Sequence, residues 1–276
     1  MDPALRPIII LIASAAAGLL GSLTGLGGGI VIVPLLVLGF GVDIPFAVGA
    51  SLIAVIATSC GSASAYVRDG YTNIRIAIVL EVATVGGALI GAALAAYAPT
   101  AFITILFGAV ALWSAYSTLR PKPVDHANTL SDPLATRLKL DGTWPTKDGL
   151  RPYRVRGIPL AMGIMLGAGV LSAMIGIGSG IVKVIAMDRV MRLPFKVSTT
   201  TSNFMIGVTA AASSGVYLQR GQLEPTLCAP VALGALAGSV VGARLLRRAD
   251  SRILRFIFAV AVAIAGVQMV LKGIRS

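Results

Sequence analysis

Charge is what this sequence has least of. Only 12% of its residues are Asp, Glu, Lys or Arg, against about a quarter in a soluble globular domain. Cysteine appears twice, as Cys60 and Cys228, and histidine once, as His126. No CxxC pair or Cys/His spacing is present to hold a structural metal, and a His-based triad is not expected. The apolar stretches contain no HExxH, no spaced Asp pair and no Ser/His set, so an intramembrane enzyme is not expected, nor is any cofactor. Acidic residues number 11 against 23 basic ones, a formal charge of +12. Nucleic acid is still not an expected partner, because the basic residues lie in loops between apolar runs, where a membrane protein keeps them.

What is abundant is apolar sequence. Hydrophobic residues make up 56% of the chain, and the mean hydropathy is +0.89. Uninterrupted runs occupy 47–66, 74–97, 100–119, 197–217, 226–246 and 253–271. Each reaches the roughly 20 residues that cross about 30 Å of hydrocarbon as a helix. The fold class is therefore an all-α polytopic membrane protein. Strands are not expected, since the runs are long and do not alternate. Cys60 and Cys228 fall within or near these runs and read as small apolar fillers.

The chain also repeats itself. The segment 18–33, GLLGSLTGLGGGIVIV, matches 169–184, GVLSAMIGIGSGIVKV, at a shift of 151 (176 minus 25). Gly18, Gly25, Gly27 and Gly29 fall on Gly169, Gly176, Gly178 and Gly180. The same shift carries Tyr66 and Gly70 onto Tyr217 and Gly221, and Gly87 and Gly91 onto Gly238 and Gly242. Ile44-Pro45-Phe46 matches Leu193-Pro194-Phe195 at a shift of 149, with a two-residue insertion after Pro194. The opening residues could pass for a signal peptide, but they have a partner inside the chain. Gly87/Gly91 and Gly238/Gly242 have the spacing of small residues that let membrane helices pack closely.

Each half opens with an apolar segment broken by glycines, 8–39 and 157–187, followed by three unbroken runs. Repeat 1 spans 1–119 and repeat 2 spans 157–276. Between them, 120–156 carries eight Lys/Arg, four Asp and five Pro, and reads as a solvated linker with room for a small bound structure but no separate catalytic domain. If each broken segment crossed once, 14 basic loop residues would face the inside and eight the outside. If each instead dips in and returns, loops 67–75, 120–156, 186–196 and 243–255 share one side with 18 Lys/Arg. The other side then holds four: Arg6, Arg220, Lys272 and Arg275. The positive-inside rule selects the second arrangement, two halves of inverted topology with re-entrant hairpins and a cytoplasmic linker. Arms of about 15 residues, some 24 Å of helix, would place the glycines at the hairpin tips.

Non-helical backbone at membrane depth is tolerated where protein buries it or where it lines a cavity. Gly25, Gly27, Gly28 and Gly29, with Gly176, Gly178, Ser179 and Gly180, would bring free N–H groups and the positive ends of the second arms to one place, suited to an anion. Lys183 lies three residues past Gly180, where its repeat counterpart is Ile32. A lysine inside a membrane is costly unless paired or hydrated, so it either lines the site or snorkels to the inner surface. Ser198–Asn203 is a run of six polar residues, longer than a helix cap requires. Thr200, Thr201, Ser202 and Asn203 are candidate hydrogen-bond donors to a polar substrate, and Ser51 is the weaker counterpart in repeat 1. Glu81 either carries a coupling proton or pairs with Arg75.

The motif Gly25-Leu-Gly-Gly-Gly29 followed by Val33-Pro34, the AVGAS element at 47–51 and the second copy Gly176-Ile-Gly-Ser-Gly180 resemble the sulfite exporter TauE/SafE family. The resemblance covers nearly all of the chain outside 120–156. It implies transport of sulfite or organosulfonates across a bacterial inner membrane, most often export, with an anion and membrane lipid as the partners. The second copy departs by carrying Ser179 in place of Gly28 and Ile185 near the place of Pro34, which allows the helix after Gly180 a different start. The expected function is secondary transport of a sulfur anion by alternating access, with coupling to protons or to the membrane potential. Uptake of thiosulfate or another small oxyanion is the alternative within transport. A structural or sensory membrane protein is the alternative outside it.

Overall fold

The computed structural model describes residues 5–24, 27–119, 132–146, 149–245 and 251–275. Gly25 and His126 lie outside the described residues. The first half contains α1 (Leu5–Thr24), α2 (Gly29–Pro34), α3 (Ile44–Arg68), α4 (Ile74–Ala95) and α5 (Thr100–Leu119). The second contains α7 (Ile158–Ile175), α8 (Gly180–Ile185), α9 (Phe195–Gln219), α10 (Pro225–Leu245) and α11 (Ser251–Arg275). Among the described residues, six helices, α1, α3, α4, α5, α7 and α10, are long and apolar enough to cross a membrane. The helices α9 and α11 match the expected runs in position, and α9 carries the polar stretch 198–203.

Both glycine-broken segments fold alike. In each, six residues of α-helix pass into a five-residue π-turn, at 35–39 and at 186–190. The equality holds within the helices although Pro34 is found only in the first copy, but the starts differ: Gly28 before α2 is right-handed (φ −71°), whereas Ser179 before α8 is left-handed (φ 45°). The expectation of two arms of about 15 residues is corrected. The first arms have 20 and 18 residues, about 27–30 Å of helix, and only the second arms are short. The break is placed by left-handed backbone at Gly27 and Gly178 (φ 73° and 77°), not by the middle of the apolar segment. Leu5-Arg6-Pro7 then lengthens the first arm, because proline is tolerated in a first helical turn.

Contacts across the two halves are reciprocal. A Cβ on Gly87 would lie 2.0 Å from the Leu166 carbonyl oxygen, so α4 packs backbone to backbone on α7. A Cβ on Gly238 would lie 1.9 Å from the Ala15 carbonyl oxygen, so α10 packs in the same way on α1. Only glycine permits such approach, as small residues do between membrane helices. Helices α5 and α11 meet at Gly108 and Gly266. Helices α3 and α9 run antiparallel: a Cβ on Gly49 would lie 2.6 Å from the Gln222 carbonyl oxygen, and the Thr200 hydroxyl donates to the Tyr71 carbonyl at the opposite end. The Arg6 guanidinium at the start of α1 donates to the Phe40 carbonyl (3.3 Å), just past the first π-turn. Gly157, just before α7, abuts Val190 at the end of the second π-turn.

The described part of the linker is a docked structure, not a free loop. It holds a short helix, α6 (Pro133–Arg137), and an antiparallel hairpin of β1 (Gly142–Thr146) and β2 (Gly149–Tyr153). Strands were not expected, and these lie outside the apolar runs and pair only with each other. Leu140, Tyr153 and Val155 are buried against Ile76, Leu80, Met187 and Met191 in a second apolar cluster beside the central one. The Asn73 amide, at the start of α4, donates to the Leu140 carbonyl (3.0 Å) and the Tyr153 hydroxyl (2.8 Å). Burial raises the Tyr153 phenol above its ordinary value, although Asn73 donates to it. Of the cysteines, Cys228 packs against the core as a filler would, whereas Cys60 is exposed on α3.

Candidate functional site

The two glycine-rich breaks, distant in sequence, are in contact. A Cβ on Gly29 would stand 2.4 Å from the Gly176 carbonyl oxygen and 2.7 Å from the Ser51 hydroxyl. Gly27 faces the Ile177 carbonyl and the side chains of Val55 and Ile206. Val55 and Ile206 are repeat counterparts (206 minus 55 is 151), each near the middle of a 25-residue helix. The meeting point is thus about 17 Å along helices of about 37 Å. The Ser51 hydroxyl donates to the Gly176 carbonyl (2.7 Å), and its counterpart Ser202 donates to the Gly180 carbonyl (3.2 Å). Each serine thereby ties a long helix to a tip, and Ser51 satisfies a carbonyl left open at the C-terminal end of α7.

Two polar side chains beside this junction keep unused hydrogen-bonding capacity. The Ser179 hydroxyl and the Asn203 amide nitrogen are buried and have no hydrogen-bond partner among the described residues. Ser179 occupies left-handed backbone (φ 45°), uncommon for a residue other than glycine. The Asn203 backbone carbonyl accepts from Ser59 (2.5 Å). A buried polar group without a partner costs about 1–3 kcal/mol; the Ser14, Ser114, Ser172 and Ser198 hydroxyls share that state, and Ser179 and Asn203 are the two adjoining the tip residues Gly180 and Ser202.

The remaining candidates are dispersed. Thr200 donates to the Tyr71 carbonyl (3.0 Å), and Thr201 accepts from the Asn73 N–H (3.1 Å). Both serve the turn between α3 and α4 rather than the tips. Gly28 is buried against the Ala17 carbonyl of its own first arm. The expected dipole ends are modest, since α2 and α8 have only six residues each before their π-turns. At the end where α3 begins and α9 ends, a cleft of about 550 Å³ lies between Arg6, Asp43, Phe46 and Glu224.

Lys183 does not snorkel. Its side chain is fully buried, and its ammonium donates to the Thr209 hydroxyl (2.5 Å). The Thr209 hydroxyl in turn contacts Glu81 Oε1, and Glu81 Oε2 lies 3.8 Å from Lys183 Nζ. Glu81 is therefore not paired with Arg75, whose guanidinium donates to the Lys139 carbonyl instead (3.2 Å). The pairing joins α4 of the first half to α8 and α9 of the second.

Residues 10–269 match the family model described as sulfite exporter TauE/SafE. The chain belongs to the TauE/SafE family. It is similar to two proteins of Bacillus subtilis, named probable membrane transporter protein YunE and probable membrane transporter protein YjnA. The first is 26% identical over 98% of this chain and 99% of its own length. The second is 25% identical over 95% and 99%. No solved structure matches the chain. With six helices of spanning length and character, this TauE/SafE protein is a multi-pass membrane transporter.

The sequence of this TauE/SafE chain pointed to the tips but not to Thr209, Ser59, Val55 or Ile206. One signal was available: Thr209 is the repeat counterpart of Thr58 (209 minus 58 is 151). A threonine kept in both halves of an apolar helix marks a position worth examining.

Proposed function

We propose that the protein exports sulfite or an organosulfonate across a bacterial inner membrane, binding the anion where the two glycine-rich tips meet. One observation carries the reading: the buried Ser179 hydroxyl and Asn203 amide stand unpartnered beside two apposed tips. Both can donate to an oxyanion, and glycine lets backbone N–H groups approach it. Family membership supports a small anion as substrate. Each half begins with a re-entrant hairpin, and the halves are inverted. The Arg6–Phe40 and Gly157–Val190 contacts, the antiparallel α3 and α9, and the clustering of basic loops support that topology. The linker lies on the cytoplasmic side beneath α4, and the Arg6–Asp43–Glu224 cleft supports access from the other side.

Alternating access then consists of the two halves rocking about the tips. Export of an anion from a negative interior runs downhill by about 2.3 kcal/mol per charge per 100 mV. The test is thermal unfolding of the purified protein against sulfite, thiosulfate, sulfate, taurine, sulfoacetate and chloride. Stabilisation by sulfite or a sulfonate, lost in Ser179→Ala/Asn203→Ala, is expected. Stabilisation by thiosulfate alone would redirect the substrate assignment, and no stabilisation by any anion in a folded protein would contradict the site.

A further inference from the structure

Thr58 and Thr209 are repeat counterparts, and both are buried. Around Thr209 the structure sets Lys183 and Glu81. At the shift of 151, the counterparts of those two residues are Ala232 for Glu81 and Ile32 for Lys183. The same local scaffold is thus written twice, once with a charge pair and once with apolar residues. Ile32 is as fully buried as Lys183. The half that lacks the charges folds into the same helix and π-turn as the half that has them. The scaffold does not need the pair, and a pair that the scaffold does not need, kept where charge is most costly, points to a function.

As it stands, the pair cannot attract an anion, because the Glu81 carboxylate offsets the Lys183 ammonium. A proton added at Glu81 Oε2, the oxygen with no hydrogen-bond partner among the described residues, leaves a neutral acid beside a cation. The site then carries one positive charge and can hold one negative charge. We propose that Glu81 is the proton-binding site of this transporter and that its protonation frees Lys183 to draw the anion, so that proton and anion occupy the protein together. The proposal rests on the anion reading above and adds to it the coupling ion and the residue that takes it. Release reverses the step: the anion leaves, the proton departs from Oε2, and the ion pair closes again. For a monoanion the loaded protein and the empty one then have equal charge, so the membrane potential acts only on a dianion such as sulfite, whose second charge the proton leaves uncompensated.

Among the described residues no other titratable group is paired with Glu81 or Lys183. Helix α7, packed along α4, contains none. Helix α9 carries Lys196 near its start, over the ring of Tyr71, and Tyr217 near its end, whose hydroxyl donates to the Ala173 carbonyl. On α4 itself Arg75 is held by the Lys139 carbonyl. Under α4, Tyr153 of the linker accepts from Asn73. Glu81 lies seven residues into α4, about 10 Å from the helix start, which gives a proton a short path from the linker side.

The test is calorimetry of anion binding to the purified full chain, in two buffers of different ionisation heat. Sulfite is the first probe, and methanesulfonate, with no titrating proton of its own near neutral pH, is the second. The wild type is expected to take up about one proton per anion, with affinity falling about tenfold per pH unit once Glu81 is ionised. Glu81→Gln, which mimics the protonated acid, is expected to bind with no proton uptake and no such pH dependence. Because that variant leaves a buried lysine without its partner, Glu81→Ala/Lys183→Ile is measured beside it. This double variant copies the residues of the other half, and is expected to fold, to bind the anion more weakly and to take up no proton. Anion binding by the wild type without proton uptake, or equal uptake in the double variant, would overturn the proposal and leave the anion site standing. Absence of binding by either probe at any pH would overturn the anion reading, and this proposal with it.

Discussion

Replacing Gly29 by alanine puts one methyl group where the two tips meet. The added carbon would stand 2.4 Å from the Gly176 carbonyl oxygen, 2.7 Å from the Ser51 hydroxyl and 2.9 Å from Val55. The nearest obstacle is backbone, so no flexible side chain can swing away. Overpacking of this kind costs about 1–3 kcal/mol. Separating the tips also strains the Ser51–Gly176 hydrogen bond of 2.7 Å, a loss of about 1 kcal/mol. A total of about 2–4 kcal/mol corresponds to about 4–16 °C in unfolding temperature for a chain of this size. Thermal unfolding in detergent reads the shift, with Gly86→Ala as the control. Gly86 has nothing within 4 Å of an added Cβ, and alanine at an open helical position is favoured over glycine by up to about 1 kcal/mol. If Gly29→Ala unfolds at the same temperature as Gly86→Ala, the tips are not in contact and the site as described is wrong.

Ser51→Ala leaves the Gly176 carbonyl without its donor and is expected to destabilise by about 1–3 kcal/mol in the same assay. Gly87→Leu and Gly238→Leu should be alike in severity, each forcing a side chain into a carbonyl of the other half, and each should abolish recovery of folded protein on size-exclusion chromatography. Asn73→Ala removes the donor to Leu140 and Tyr153, so limited proteolysis should cut the linker faster while the helices stay resistant. Burial raises the Tyr153 phenol above 10.0, so its contribution to linker docking is complete below the unfolded tyrosine value and is lost as pH rises through the folded one. Ultraviolet titration of phenolate should show Tyr153 ionising later than the exposed tyrosines, and Tyr153→Phe should reduce the late-ionising amplitude without abolishing it, because Tyr217 is buried as well.

The membrane helices were legible because long apolar runs leave little else to form: α4 and α5 start at the expected residues and α3, α9 and α10 start within three. The duplication made both helix breaks legible at once, because Gly27 and Gly178 are left-handed in the two copies. The length of the first arms was not legible, since hydropathy marks what is apolar and not where a helix stops. Thr200 and Thr201 looked like ligands because polar residues in an apolar run invite that reading. Their hydroxyls also meet the turn at 71–73, a contact between residues some 130 positions apart that no local pattern displays. Glu81 and Lys183 were each conspicuous alone, but their pairing crosses the two halves and required the packing of α4 on α9. The linker hairpin was hidden for the opposite reason: Leu140, Tyr153 and Val155 are scattered among polar residues, and only docking on α4 makes them a core.

The central claim is that a sulfur oxyanion binds between the two tips and passes from one face to the other. The most direct measurement is exchange of isotopically labelled sulfite into proteoliposomes preloaded with unlabelled sulfite. The account predicts exchange well above protein-free vesicles, reduced strongly in Ser179→Ala/Asn203→Ala at equal incorporation. Exchange no faster than in protein-free vesicles, by protein that remains folded in the bilayer, would contradict it.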